Sequence, residues 1–159
     1  MAAGNAEDKG GASEGMIVED STTAVLRRAA RNVERLFASK AQTLKLTPNL
    51  LRVLLLLEAN PGMSTVEVAR RMDLSKLTNI AIMRNLLERR LIARAADPEN
   101  RSALRNSLTA KGRQVARRGL LIHREIEGAL QKIMGLANLP MKAKLERIAK
   151  LDGVENNAA

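Results

Sequence analysis

The chain has 159 residues, 45% of them hydrophobic and 28% charged, which is enough for one domain with its own core and is not a disordered composition. It contains no cysteine, so disulfides, thiolate metal sites and cysteine-based redox sensing are excluded. No apolar run reaches the length of a membrane span, the longest being Leu50 to Leu57 with Arg52 inside it. No basic segment precedes an apolar stretch at the start, so the reading is a cytoplasmic protein with no membrane partner. The net charge of +10 is uneven. Residues 1–20 hold Glu7, Asp8, Glu14, Glu19 and Asp20 against Lys9, a net of −4 that leaves +14 for residues 21–159. A strongly basic body implies a polyanionic partner, because Lys and Arg that neutralise phosphates release condensed counterions.

In chain order, residues 1–20 read as a disordered acidic tail, rich in Gly, Ala and Ser. Leu26, Ala29, Ala30, Val33, Leu36 and Phe37 then recur at helical spacing, which predicts an amphipathic helix over about residues 21–40. Thr47-Pro48 places a capping hydroxyl before a proline at the first helical position. The helix it opens runs through Glu58 and is stopped by Asn60-Pro61-Gly62. Its nearly continuous leucines imply burial on most sides.

Ser64-Thr65-Val66-Glu67 has capping-box spacing and opens a short helix with Val66, Ala69 and Met72 as the expected buried stripe. Asp73-Leu74-Ser75 gives a turn residue, an apolar plug and a second N-cap, after which Lys76 to Arg90 run without Pro or Gly. Leu91–Ala95 and Ala103–Leu108 read as two strands around Asp97-Pro98-Glu99-Asn100-Arg101, a turn-forming loop with an Arg at its tip. Two helices, a tight turn and a basic-tipped hairpin are the parts of a winged helix-turn-helix. Thr109 caps a helix from Ala110 to Met134, about 37 Å long at 1.5 Å per residue. Val115, Ile122, Ile126, Ala129 or Leu130, and Ile133 form its stripe. A last helix begins at Pro140, presents Met141, Leu145, Ile148 and Leu151 on one face, and ends at Asp152-Gly153. So long a helix needs an apolar partner for its far end, and a second copy of the chain supplies one.

Placing Leu74, Ile82, Met83 and Leu86 in the core turns Leu77, Ile80, Ala81 and Arg84 of the second helix outward and Asn79 inward. Leu and Ala cannot hydrogen-bond to base edges, but they can pack on thymine methyls. Lys76, Thr78 and Arg84 then supply the polar contacts, Thr65 touches phosphate at the preceding helix start, and Arg101 enters a narrow minor groove. Enzyme chemistry finds no support. The single His, His123, has no second His, Cys or convergent acid pair at ligand or catalytic spacing, and no metal or cofactor is implied. His123 is either a packed or surface residue or part of an effector pocket between the long helix and the first two, where Arg27, Arg31 and Arg52 are candidate partners for an anion. With Phe37 as the only aromatic residue, a planar ligand there meets aliphatic and Met side chains.

Leu46-Thr47-Pro48, Val53-Leu54, Ser64 to Ser75, Leu86, Leu91-Ile92, Arg94, and Asp97-Pro98-Glu99-Asn100-Arg101 through Leu108-Thr109-Ala110-Lys111-Gly112-Arg113 together resemble the MarR family of bacterial transcription regulators. The resemblance spans roughly residues 22–152, and the Asp-Pro-x-x-Arg wing with the following Leu-Thr-x-Lys-Gly is its most specific part. It implies a triangular homodimer held by helices from both termini. It also implies two winged modules on a pseudo-palindromic operator, with relief of repression by small anionic, often aromatic, ligands. The chain departs from the family at Asn100-Arg101-Ser102, where Asp-Arg-Arg is usual, and at Arg90, where Gly is usual and a residue with a Cβ must make the turn, which is tolerable if φ stays negative. In the recognition helix, hydroxyl and Arg side chains usual in the family are replaced by Leu77, Ile80 and Ala81.

The expected architecture is mainly α with a small β-hairpin wing, a winged helix-turn-helix two-fold homodimer built by its terminal helices. Its parts are an acidic tail (1–20), an N-terminal dimerisation helix (21–46), the DNA-binding module (47–109) and C-terminal dimerisation helices (110–152). The expected function is sequence-specific, ligand-relieved repression on double-stranded DNA. Two alternatives use the same residues: a protein-interaction module with Leu77 and Ile80 as its patch, or a basic RNA-binding protein.

Overall fold

The structure is a computed structural model that describes residues 21–97 and 104–150. The readings of residues 1–20 as a tail, of the loop tip at Arg101 and of the helix end at Asp152-Gly153 lie outside the described residues.

Among the described residues, six α-helices and one hairpin follow in the order α1 (Thr22–Gln42), α2 (Pro48–Ala59), α3 (Thr65–Arg71), α4 (Lys76–Glu88), β1 (Ile92–Ala96), β2 (Leu104–Leu108), α5 (Ala110–Met134) and α6 (Asn138–Ile148). A short 3₁₀ turn, Gly135–Ala137, joins the last two. Each of the first five helices starts on a hydroxyl cap: Ser21, Thr47, Ser64, Ser75 and Thr109 accept from backbone amides one turn on. At Ser64 the capping box is complete, with Ser64 N–H donating to Glu67 Oε2 at 2.7 Å and Glu67 N–H to Ser64 Oγ at 3.2 Å.

Three helices end in one way that the sequence reading missed. Lys45, Asp73 and Arg90 have φ of 57°, 50° and 56°, the left-handed region in which glycine is the usual occupant. Behind α4, Leu91 N–H donates to Leu86 O and Arg90 N–H to Leu87 O, the 6→1 and 5→2 bonds of a Schellman end. The same pair of bonds closes α3 at Leu74 and Asp73, and α1 at Leu46 and Lys45. In each case the left-handed residue is followed by a leucine turned inward, and Leu46 and Leu91 are buried. The negative φ that would make Arg90 easily tolerated is not met. Those hydrogen bonds and the burial of Leu91 offset the cost of a Cβ in that conformation.

α2 is the centre of the core, with Leu50, Leu51, Val53, Leu54 and Leu57 buried. Phe37 and Ala41 of α1, Val68 of α3, Ile82, Met83 and Leu86 of α4, and Ala116, Ile122 and Ile126 of α5 pack around it. Gly119 lets α5 approach α2 closely: a Cβ there would lie 2.4 Å from Leu51 Cδ1.

The stripe expected on α3 is corrected, and those on α1 and α5 are only partly covered within one chain. Val66 is 76% exposed and Val68 is the buried residue of α3. Residues two apart sit about 200° apart around a helix, so the capping geometry that turns Val68 inward turns Val66 out. On α1 only the C-terminal half packs inward, leaving Leu36, Ala29 and Ala30 exposed. On α5, Ala129 and Ile133 are exposed, beyond the reach of α2. Met141, Leu145 and Ile148 of α6 are exposed as well.

Candidate nucleic-acid interface

α3 and α4 are joined by Met72 to Ser75 and held at a fixed angle by Asn79. This side chain is buried, and its amide donates to the Thr65 carbonyl at 2.7 Å, tying the second turn of α4 to the start of α3. Its Oδ1 is buried without a hydrogen-bond partner. The side chains that the sequence reading turned outward are outward. Leu77 is 81% and Ile80 47% exposed, and Lys76, Thr78, Ala81 and Arg84 are exposed around them. Thr78 Oγ1 lies 2.8 Å from Ser75 Oγ, so its hydroxyl is engaged in the cap. Arg84 Nε stands 3.8 Å from Glu88, the first acidic residue met along α4.

The hairpin is antiparallel, with Ile92 opposite Leu108 and Arg94 opposite Asn106. Asn106 is fully buried and joins the wing to α3. Its amide donates to Met63 O at 2.8 Å and to Thr65 Oγ1 at 3.4 Å, while its Oδ1 accepts from Arg94 Nε at 3.2 Å. Backbone bonds from Asn106 N–H to Met63 O and from Gly62 N–H to Asn106 O place residues 62–64 as a short third edge of the sheet. The side of the wing nearest its loop is braced by Arg105, whose Nε and Nη2 lie 2.7 and 2.6 Å from Asp97 Oδ2 and whose Nη1 donates to Gly62 O at 3.2 Å. The chain thus keeps a carboxylate–guanidinium brace between Asp97 and β2, although Asn100 and Ser102 replace the charged residues usual further along the loop.

Three residues of this surface escaped the sequence reading. Arg94 projects from β1 towards α3, its Nη2 3.5 Å from Thr65 Oγ1, and lines a notch with Ile80, Met83 and Arg84. Its register opposite Asn106, two strand positions from Ile92, was the available signal. Val66 and Arg70 line a second groove, about 640 Å³, with Ala69, Lys76 and Ile80. Thr65 is less free than expected, because its hydroxyl is shared between Arg94 and Asn106 and its carbonyl is taken by Asn79. Glu67 sits behind this face. The Ser64 backbone N–H and then the Ser64 hydroxyl hold its carboxyl below the ordinary value of 4.5, with Arg105 and Arg70 adding to the effect and desolvation opposing it.

Residues 46–112, a stretch holding both helices of the turn and the hairpin, match the family described as winged helix DNA-binding domain. No curated protein matches by sequence. Solved structures do. The transcriptional repressor CouR, bound to a 23-mer DNA duplex, is 29% identical over 84% of this chain and 96% of its own, with a TM-score of 0.75. Over most of its length the chain is similar to winged helix transcriptional regulators of the MarR type. CouR bound to p-coumaroyl-CoA is 27% identical over 86% of this chain and 96% of its own, with a TM-score of 0.73. A probable transcriptional regulator from Pseudomonas aeruginosa is 26% identical over 82% of this chain and 98% of its own, TM-score 0.73. MarR itself, at 23% identity over 82% of this chain and 89% of its own and TM-score 0.67, shares the fold.

A cavity of about 620 Å³ lies between α1, α2 and α5. Val33, Phe37, Leu55, Leu56, Ile126 and Leu130 give it an apolar lining, and Arg52, Glu58, Arg117, His123 and Glu127 are the polar groups around it. Of the four candidate ligand residues, the fold brings Arg52 and His123 to this cavity. Arg27 and Arg31 do not line it. Both are exposed on α1. Arg52 is committed on two sides: its Nη2 donates to Glu34 Oε1, and its guanidinium lies 4.8 Å from the centre of the Phe37 ring. Among the described residues no cluster of His, Cys, Asp or Glu could hold a metal ion, and no helix is long and apolar enough to cross a membrane.

Proposed function

We propose that the protein is a sequence-specific repressor that binds a pseudo-palindromic duplex as a homodimer and leaves it when a small anionic ligand enters the cavity between α1, α2 and α5. The observation that carries this reading is the exposed first half of α4, where Lys76, Leu77, Thr78, Ile80, Ala81 and Arg84 project with Arg94 beside them and no carboxylate before Glu88. Thr65, at the start of α3, approaches phosphate, and Arg101 of the wing loop approaches the minor groove. Residues 47–109 are then the DNA reader. Residues 21–46 and 110–152 supply the dimer surface, for which the exposed Leu36, Ile133, Leu139, Met141, Leu145 and Ile148 are the apolar material. The ligand has a mainly apolar body that fits the aliphatic lining, and its anionic group pairs with Arg117 or His123, since Arg52 already pairs with Glu34. That CouR is found bound to p-coumaroyl-CoA supports a ligand-responsive reading of this cavity.

Titration of full-length protein against duplexes selected from genomic fragments tests the reading. Binding that falls linearly in log affinity against log salt supports it, as phosphate neutralisation requires. Binding that ignores salt, or a preference for RNA over duplex DNA, overturns it. A well-folded monomer at micromolar concentration in sedimentation overturns the dimer and, with it, the two-fold site.

A further inference from the structure

The structure carries an unusual chemistry on the surface that meets DNA, and we propose that Leu77 and Ile80 of α4, with Val66 of α3, read thymine through its 5-methyl group. This rests on the duplex-binding reading above and narrows it to a type of base contact. The same surface would accept 5-methylcytosine, which presents a methyl group at the same place in the major groove.

The first argument is what the face exposes. Leu77, Ile80 and Val66 are 81%, 47% and 76% exposed, three aliphatic side chains on adjoining helices of a strongly basic protein. Val66 and Ile80 line the same groove, and Ile80 also borders the notch that holds Arg84 and Arg94. An exposed apolar cluster marks a contact surface. Here it is framed by Lys76, Arg70, Arg84 and Arg94, a charge setting that fits duplex DNA and disfavours an apolar protein partner.

The second argument is what the face lacks. The thymine methyl is the one apolar group on the edges of the four ordinary bases in the major groove, and direct reading of the other features needs hydrogen-bonding side chains. In the first turns of α4 those side chains are occupied by the fold. Asn79 is buried on the Thr65 carbonyl, and the Thr78 hydroxyl lies 2.8 Å from that of Ser75. Thr65 on α3 is shared with Arg94 and Asn106. Lys76 and, further along α4, Arg84 are left as polar readers, while the aliphatic trio is free to take methyl groups.

The test uses the full-length protein and duplexes enriched from a random library. Each thymine of the enriched motif is replaced in turn by deoxyuridine, which keeps every hydrogen-bonding group and removes only the methyl. The expected result is a loss of about fourfold in affinity at each contacted thymine, the value for exposing one buried methyl-sized group. At the same positions 5-methylcytosine should bind better than cytosine by a similar factor. Leu77→Ala, Ile80→Ala and Val66→Ala should each abolish the thymine–uracil difference at one position, with an unchanged thermal midpoint because these side chains are exposed. Equal binding of thymine and uracil duplexes at every position, with salt-sensitive and sequence-selective binding intact, overturns methyl reading and leaves the DNA-binding reading standing. Absence of salt-sensitive duplex binding overturns both. Melting of Leu77→Ala well below the parent protein would make Leu77 a structural residue and remove it from the proposal.

Discussion

The Gly112 Cα faces the Leu91 carbonyl so closely that a Cβ there would lie 1.9 Å from the oxygen and 2.9 Å from the carbon. That carbonyl also accepts from the Thr109 N–H at 3.1 Å and its hydroxyl at 3.2 Å, so the start of α5, the end of α4 and the base of the wing meet at one peptide. The Leu-Thr-x-Lys-Gly stretch thus has a physical reason. Thr109 caps α5 and holds Leu91, Lys111 Nζ donates to Arg89 O at 3.1 Å, and Gly112 leaves room for the approach.

Gly112→Ala is therefore expected to destabilise the fold severely, by about 3 kcal/mol or more, because the obstacle is backbone that cannot rotate away. Gly119→Ala should cost less. Its Cβ would meet Leu51 Cδ1 at 2.4 Å, the end of a side chain that can shift at an overpacking cost of about 1 to 3 kcal/mol. Denaturant titration of both variants checks the order, and a Gly119→Ala protein less stable than Gly112→Ala would refute the account.

Arg90→Gly should raise stability by about 0.5 kcal/mol. A side chain in the left-handed region costs roughly 1 to 2 kcal/mol, and glycine recovers that while losing some through its freer unfolded chain. Lys45→Gly should behave alike, since its φ of 57° matches the 56° of Arg90. Asp73→Gly should gain less, because Asp tolerates this conformation better. Thermal midpoints of the three variants give the comparison; a destabilised Arg90→Gly would mean that its side chain is structurally needed.

These ends show why parts of the molecule were legible and others were not. Hydroxyl caps at Ser64, Ser75 and Thr109 depend on one side chain and the next turn, so their residues announce the helices directly, and α5 runs from Ala110 to Met134 as its cap predicts. The outward register of α4 followed from the spacing of Ile82, Met83 and Leu86. Left-handed ends at Lys45 and Arg90 depend on hydrogen bonds back into the helix and on a buried leucine, which no local residue type signals, whereas Asp73 was itself a turn former. The inward face of α3 was misread at Val66 because seven residues hold too few apolar positions to define a stripe. Arg94 and Arg105 acquire meaning only through long-range pairing, with Asn106 across the hairpin and with Asp97.

The Asp97–Arg105 brace is asymmetric, and its two halves should respond differently to removal. The Asp97 side chain is 8% exposed and that of Arg105 45%. Arg105→Ala leaves a nearly buried carboxylate without its guanidinium and should destabilise by about 1.5 to 3 kcal/mol, the range for charge-assisted bonds. Asp97→Ala leaves an arginine that solvent can reach and should cost less. Both should weaken duplex binding through a loosened wing. Equal destabilisation by the two, in urea titration, would mean that the pair does not act as a brace.

Acid sensitivity should map in part to Glu67. Its carboxyl lies below the ordinary value of 4.5 in the folded protein, first through the Ser64 backbone N–H, then through the Ser64 hydroxyl, with help from Arg105 and Arg70. A carboxyl whose folded value is depressed binds its proton more readily when unfolded. Its contribution to stability is therefore complete above 4.5 and is lost as pH falls from there through the lowered folded value. The capping box at the start of α3 should loosen in that window, and with it the Asn79–Thr65 contact that sets the angle of α4. Glu67→Gln keeps a side chain able to accept from Ser64 N–H but removes the titrating group. Its stability should be lower than the parent's at neutral pH and should vary less between pH 5 and the acid limit. Denaturant midpoints measured across that range decide the matter: parallel pH profiles for Glu67→Gln and the parent would show that the acid transition originates elsewhere in the chain.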